Sequence, residues 1–215
     1  AGVEYIGWRA FENCSALRKI TLPEGLEEIG EEAFLNCTSL EEFNIPSSVV
    51  SINGSAFDNT AFYNNAFNRE DGALYRDGVL IAAEGISGRY SVKEGTRLIA
   101  MDSFRDCDNL YQLTLPASLR YISADSSVAL DALIGLERIK VNKANPYYTA
   151  DRQGVLYSKD KTVLVAYPRG SVMLSYSVPE GVEYIEDSIE NDCLTQIFLP
   201  KSIKDFMPIT QKASI

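Results

Sequence analysis

Ile6-Gly-Trp-Arg-Ala-Phe-Glu-Asn-Cys-Ser-Ala-Leu-Arg-Lys-Ile-Thr-Leu-Pro23 is written again as Ile29-Gly-Glu-Glu-Ala-Phe-Leu-Asn-Cys-Thr-Ser-Leu-Glu-Glu-Phe-Asn-Ile-Pro46, and once more as Ile99-Ala-Met-Asp-Ser-Phe-Arg-Asp-Cys-Asp-Asn-Leu-Tyr-Gln-Leu-Thr-Leu-Pro116. The step from Ile6 to Ile29, and from Ile29 to Ile52, is 23 residues. Each unit carries one apolar edge: Leu17, Ile20 and Leu22; Leu40, Phe43 and Ile45; Leu110, Leu113 and Leu115. A single unit cannot cover that edge, whereas a stack of units buries it as a continuous core, so the spacing predicts a solenoid.

The period lies in the window of roughly 20–29 residues occupied by leucine-rich repeats. The unit Ile-Gly-x-x-Ala-Phe-x-x-Cys-x-x-Leu-x-x-Ile-x-Leu-Pro resembles the BspA-like leucine-rich repeat of bacterial surface proteins. Three units keep Phe11/Phe34/Phe104, Cys14/Cys37/Cys107 and Pro23/Pro46/Pro116 in one phase. The segments Asn64–Tyr75 and Asn145–Tyr157, each ending in Gly-x-Leu-Tyr, are similar to the islands that interrupt such arrays. The resemblance covers the chain up to about Lys204.

The expected fold is an α/β or mainly β right-handed solenoid. Segments 17–22, 40–45, 110–115, 136–141 and 194–199 would form a parallel sheet on the concave face. Short helices or turns around Ala10-Phe11, Ala33-Phe34, Ala56-Phe57 and Ser103-Phe104 would form the other face. Ala129-Leu130 stand for Ala-Phe in the unit opening at Ile122. Gly72–Ile81 and Gly154–Val165 read as hairpins, the first turning at Asp77-Gly78, where a positive φ is cheap. The repeats fall near 1–28, 29–51, 52–98 with an island, 99–121, 122–184 with an island, and 185–205. They make one domain over 1–215, which, opening inside a repeat, is expected to be a fragment of a longer protein.

A formal net charge of −10 argues against nucleic acid or an anionic membrane as partner. No apolar run reaches the length of a membrane span. With no histidine, Ser-His and Cys-His pairs and the commonest general base are excluded. Glu27, Glu28, Glu31 and Glu32 read as a solvated edge. Asp102, Asp106 and Asp108 are hard oxygen donors but lack the spacing of a calcium loop. No metal site and no cofactor are expected. Cys14, Cys37, Cys107 and Cys193 recur once per turn, so they form a column, not a cluster, and are expected to be buried small hydrophobes.

Strand alternation points Ile20 and Leu22 inward and Lys19 and Thr21 outward. Carried along the array, this register gives an outward stripe of Lys19, Thr21, Glu42, Asn44, Gln112, Thr114, Arg138, Lys140, Gln196 and Phe198. Aromatic residues of the islands, among them Phe67 and the rim residues Tyr63, Tyr147 and Tyr148, would flank it. Repeat scaffolds commonly work by presenting such a surface. The resemblance implies a non-enzymatic adhesion module, extracellular or on the bacterial cell surface, that binds a host or bacterial protein or glycoprotein. The alternative is a spacer that holds another domain away from the envelope, with a carbohydrate-active enzyme as a distant third.

Overall fold

The structure, a computed structural model, describes residues 2–65, 69–123, 130, 132–186 and 189–206. Phe67 and Ala129 lie outside them. The residues group into two compact units. One holds 1–84, 96–105 and 121–124; the other holds 85–95, 106–120 and 125–215.

Each repeat has two apolar anchors, and each anchor builds its own column of parallel strands. At the Leu-x-x-Leu-x-Leu position, Lys19–Ile20 pairs with Glu42–Phe43 in the first unit. In the second unit Leu110–Leu115 pairs on its two sides with Gly88–Ser91 and Arg138–Val141, and Ser175–Ser177 pairs with Gln196–Phe198. The expected single sheet is therefore a set of short parallel ladders. Those in the first turns hold only two residues, because the Asn44 side chain takes over the backbone of Leu22. Its Oδ1 accepts the Leu22 N–H at 2.8 Å and its Nδ2 donates to the Leu22 carbonyl at 2.9 Å.

The second column, not anticipated from the sequence, sits at the residue opening each repeat. In the first unit Tyr5–Ile6, Glu28–Ile29 and Ser51–Ile52 form one ladder, and Leu98–Ile99 pairs with Tyr121–Ile122. In the second unit Tyr184–Ile185 pairs with Asp205–Phe206, so the pattern runs slightly past Lys204.

Both islands are the hairpins expected, and both feed this second column. Ala73–Arg76 runs antiparallel to Val79–Ala83, whose start pairs in parallel with Leu98–Ile99. Leu156–Ser158 runs antiparallel to Val163–Ala166, which pairs in parallel with Tyr184–Ile185. The strands that leave the islands, Gly88–Ser91 and Ser175–Ser177, then join the first column. An island is thus an enlarged rung. The signal for these exit strands lies in Tyr90-Ser-Val-Lys-Glu-Gly95 and Tyr176-Ser-Val-Pro-Glu-Gly181, which parallel Ile20-Thr-Leu-Pro-Glu-Gly25.

Among the described residues the helix Ala61–Asn64 is the only one. The Ala-Phe segments are chains of tight turns. Ala10, Glu12 and Cys14 donate to carbonyls three residues back, while Arg9, Phe11 and Asn13 donate across to Glu31, Ala33 and Leu35 of the next turn. The alternation serves every N–H of the segment. The zigzag requires left-handed backbone, and Asn13, Asn36 and Asn59 supply it at φ of 62°, 60° and 57°. Asparagine tolerates that region better than most residues. Inside, Phe11, Phe34 and Phe57 stack with ring centroids 5.1 and 5.4 Å apart.

The cysteine column requires a correction. Cys37 and Cys107 are buried, but Cys14 and Cys193 are exposed. The Cys37 thiol is covered by the neighbouring turn and donates to the Phe11 carbonyl at 3.0 Å. Cys14 has no such turn on its open side among the described residues. Cys193 lies where the repeat has lost residues, and Asn191 Oδ1 accepts the N–H groups of both Cys193 and Leu194. That tight turn leaves the Cys193 side chain outside.

Candidate interaction surface

In the strands Leu110–Leu115 and Arg138–Val141 the outward register emerges from burial, whereas in Gln196–Phe198 all three residues are exposed. Leu113, Leu115 and Ile139 are buried, Gln112 and Thr114 are half-buried, and Arg138 and Lys140 are exposed. The ladder sets Gln112 beside Arg138 and Thr114 beside Lys140, and on the other flank sets Arg89 and Ser91 beside Gln112 and Thr114. Arg89 and Ser91 were missed because their strand leaves an island. Neither Arg138 nor Lys140 has a hydrogen-bond or ion-pair partner from its side chain among the described residues. Gln196 and Phe198 stand in register with Ser175 and Ser177, and Phe198 is 55% exposed.

The part of the stripe in the first unit is different. Lys19 Nζ lies 2.9 Å from Glu42 Oε2, and this hydrogen bond holds the Glu42 carboxyl below the usual carboxylate range. Asn44 is half-buried and spent on Leu22, which leaves Thr21 exposed beside groups already paired.

The predicted rim tyrosines are half-buried and occupied. Tyr63 donates to Glu84 at 2.8 Å. Tyr148 donates to the Arg120 carbonyl at 3.2 Å, and the Arg120 guanidinium lies 5.4 Å from the Tyr147 ring centre. They shape the flank more than they offer free polar ends.

A second feature was not anticipated. Tyr176 donates to Asp151 Oδ2 at 2.5 Å and is hydrogen-bonded to the Tyr157 hydroxyl, while Asp151 Oδ1 accepts the N–H groups of Gln153 and Val155 at 2.9 Å each. Burial pushes both phenols well above their usual range, and for Tyr176 the hydrogen bond to Asp151 adds to the rise. The network anchors the turn at 151–154 to the strand Ser175–Ser177. Gly154 lets that turn lie against strand Arg138–Val141: its φ is +91°, a Cβ there would stand 2.6 Å from Arg138 Cβ, and its carbonyl accepts the Ile139 N–H at 3.0 Å. An open depression of about 590 Å³ lies between the turn and the strand.

Among the described residues no three His, Cys, Asp or Glu side chains converge as metal ligands, and Asp102 instead pairs with Arg105 at 3.2 Å. No described helix is long and apolar enough to cross a membrane.

Residues 1–71 and 89–144 match the BspA type Leucine rich repeat region, in 6 copies. The chain belongs to the BspA-type leucine-rich repeat family. No curated protein matches it in sequence. Among solved structures it is similar to a leucine-rich repeat protein from Eubacterium ventriosum, with 20% identity, 87% of this chain and 49% of that chain covered, and a TM-score of 0.48. It is also similar to the pneumococcal vaccine antigen PcpA, with 18% identity, 94% and 57% covered, and a TM-score of 0.45. A leucine rich cell surface protein from Faecalibacterium prausnitzii shows 22% identity, 95% and 58% coverage and a TM-score of 0.34. The chain spans about half the length of these proteins. As a BspA-type array, it reads most regularly in its first turns, and the matched residues stop before the second island.

Proposed function

We propose that this BspA-type array is a non-enzymatic interaction module of a bacterial cell-surface or secreted protein, and that it holds a protein or glycoprotein partner through its strand faces. One observation carries the reading: Arg138 and Lys140 stand exposed, without a side-chain partner among the described residues, on a three-strand ladder whose inward residues Leu113, Leu115 and Ile139 are buried. The paired backbone spares a docking ligand the cost of ordering main chain, while each free side chain it immobilises costs about 0.5–1.5 kcal/mol. The acidic chain as a whole disfavours nucleic acid and leaves these cations as local exceptions.

The test is capture of host extracellular-matrix glycoproteins and bacterial envelope preparations by the immobilised chain. Arg138→Glu with Lys140→Glu should weaken capture about tenfold or more, the scale of losing two charged contacts, with the melting temperature unchanged. Capture that survives both reversals and Phe198→Ala would remove the strand face as the contact surface.

The spacer reading is favoured by a different region. In the first turns Lys19 pairs with Glu42, Arg9 pairs with Glu32, and Asn44 is spent on Leu22, which leaves less free chemistry for a partner. The two readings thus divide the chain between them.

A further inference from the structure

The depression beside the second island has free chemistry of one sign. Its acidic member, Asp151, is spent: both carboxylate oxygens already accept hydrogen bonds, from Tyr176 and from the backbone of Gln153 and Val155. The remaining polar side chains of the lining are Arg152, Gln153 and Lys161 from the island and Ser175 and Ser177 from the strand. None of these five side chains has a hydrogen-bond or ion-pair partner among the described residues. In a chain of net charge −10, a lining whose two cations, Arg152 and Lys161, outnumber its single carboxylate, Asp151, is a local departure.

We propose that this depression is a binding site for a negatively charged sugar residue, carboxylated or sulfated. Arg152 and Lys161 are the donors for the anionic group, the guanidinium supplying a two-pronged contact and the ammonium a point charge. Ser175, Ser177 and Gln153 each donate and accept, which suits ring hydroxyls that do the same. The volume falls within the roughly 300–1,000 Å³ typical of small-ligand sites. An acidic peptide would fit less well, because the site presents hydroxyls and an amide where a peptide backbone would need a free strand edge.

The site is preorganised by the Asp151–Tyr176–Tyr157 network, which fixes the turn bearing Arg152 and Gln153 relative to the strand bearing the serines. Its occupant is separable from the strand-face partner, since Arg138 and Lys140 do not line the depression.

The experiment is calorimetric titration of the whole chain with sialyllactose, a galacturonate trisaccharide and a heparin-derived tetrasaccharide, with lactose as neutral control and an oligoglutamate peptide as acidic non-sugar control. At least one anionic sugar should bind, at least about tenfold more weakly to Arg152→Ala with Lys161→Ala. The same double variant should melt at the parent temperature, and Ser175→Ala with Ser177→Ala should weaken binding without abolishing it. Carboxylated sugars binding alone would identify the anion as a carboxylate, and the heparin fragment alone would identify it as a sulfate; both support the site. Equal binding of lactose, binding of oligoglutamate as tight as that of the sugars, anionic-sugar binding that survives the double variant, or no binding of any sugar would overturn it. Loss of sugar binding in the Arg138→Glu, Lys140→Glu protein but not in the Arg152, Lys161 variant would place the contact on the strand face and refute this assignment.

Discussion

The turns from Tyr5 to Thr60 and the region from Arg138 to Phe198 use the same repeat to opposite ends. In the first, the period is an unbroken 23 residues, so a polar side chain finds its counterpart one turn away. Asn36 donates to Asn13 at 3.0 Å and Asn59 to Asn36 at 2.9 Å. Lys19 meets Glu42, Arg9 meets Glu32, and Ser48 accepts from the Gly25 N–H and donates to the Leu26 carbonyl. Repetition satisfies these positions from within, while Arg18 stays exposed without a side-chain partner among the described residues. In the second region the island puts unlike side chains on neighbouring rungs, and among the described residues Arg138, Lys140, Arg152 and Lys161 are left without such counterparts. Broken symmetry is what leaves a repeat protein with groups to spare for a ligand.

The largest test of that contrast is Phe34→Ala. Phe34 is fully buried and stacked between Phe11 and Phe57, so its loss opens a cavity that two rigid neighbouring rings cannot refill. The expected cost is about 3–5 kcal/mol, read from denaturant unfolding. A variant that unfolds like the parent would show that the regular turns do not depend on their aromatic column.

Asn36→Ala should cost less, about 1–2 kcal/mol. It removes two ladder hydrogen bonds and places an alanine at a φ of 60°. Asn36→Gly should recover the backbone share and leave only the lost bonds. Gln153→Ala, in the irregular region, should leave stability unchanged. If Asn36→Ala were equally silent, the ladder would be a consequence of the period and not a support for it.

How far each region could be read from sequence follows the same division. Ile6, Ile29 and Ile52 announce their spacing, and the inward register of Ile45, Leu113 and Ile139 follows from it by alternation alone. The second strand column was hidden because Tyr5–Ile6 and its equivalents are two residues long, too short to show alternation. The hairpin at Asp77-Gly78 was legible from local turn chemistry. The exit strand Gly88–Ser91, and with it Arg89, was harder to place, since it follows an island whose length no local rule fixes and only its one-period spacing from Gln112 marks it. Lys19 and Glu42 stand 23 residues apart, so their contact follows from the period. Arg152 and Lys161 share a depression with Ser175 and Ser177 only because Asp151 and Gly154 set the path of the turn, and such contacts have no periodic signature. The exposure of Cys193 has the same origin, in residues dropped from the last repeat.

The smallest effect concerns Lys19 and Glu42, whose side chains are 67% and 69% exposed. A pair so solvated is screened, and its loss should leave the melting temperature within experimental scatter. Its consequence lies in what the face can bind. Glu42→Gln removes the carboxylate and frees Lys19, which reproduces in the regular turns the condition found at Arg138 and Lys140. The variant should gain weak, salt-sensitive retention on a sulfated-glycan matrix, at pH 7 and low ionic strength, above that of the unchanged first turns. Acidification should act in the same direction. The Glu42 carboxyl is held below its ordinary pKa, so its attraction for Lys19 is complete above the usual carboxylate range and is lost as the pH falls through the depressed value. To isolate the first turns, both measurements are made on a background carrying Arg138→Glu, Lys140→Glu, Arg152→Ala and Lys161→Ala. If Glu42→Gln gained no retention on that background, self-pairing would not be what keeps the regular face inert, and the contrast between the two regions would have to rest on shape instead of charge.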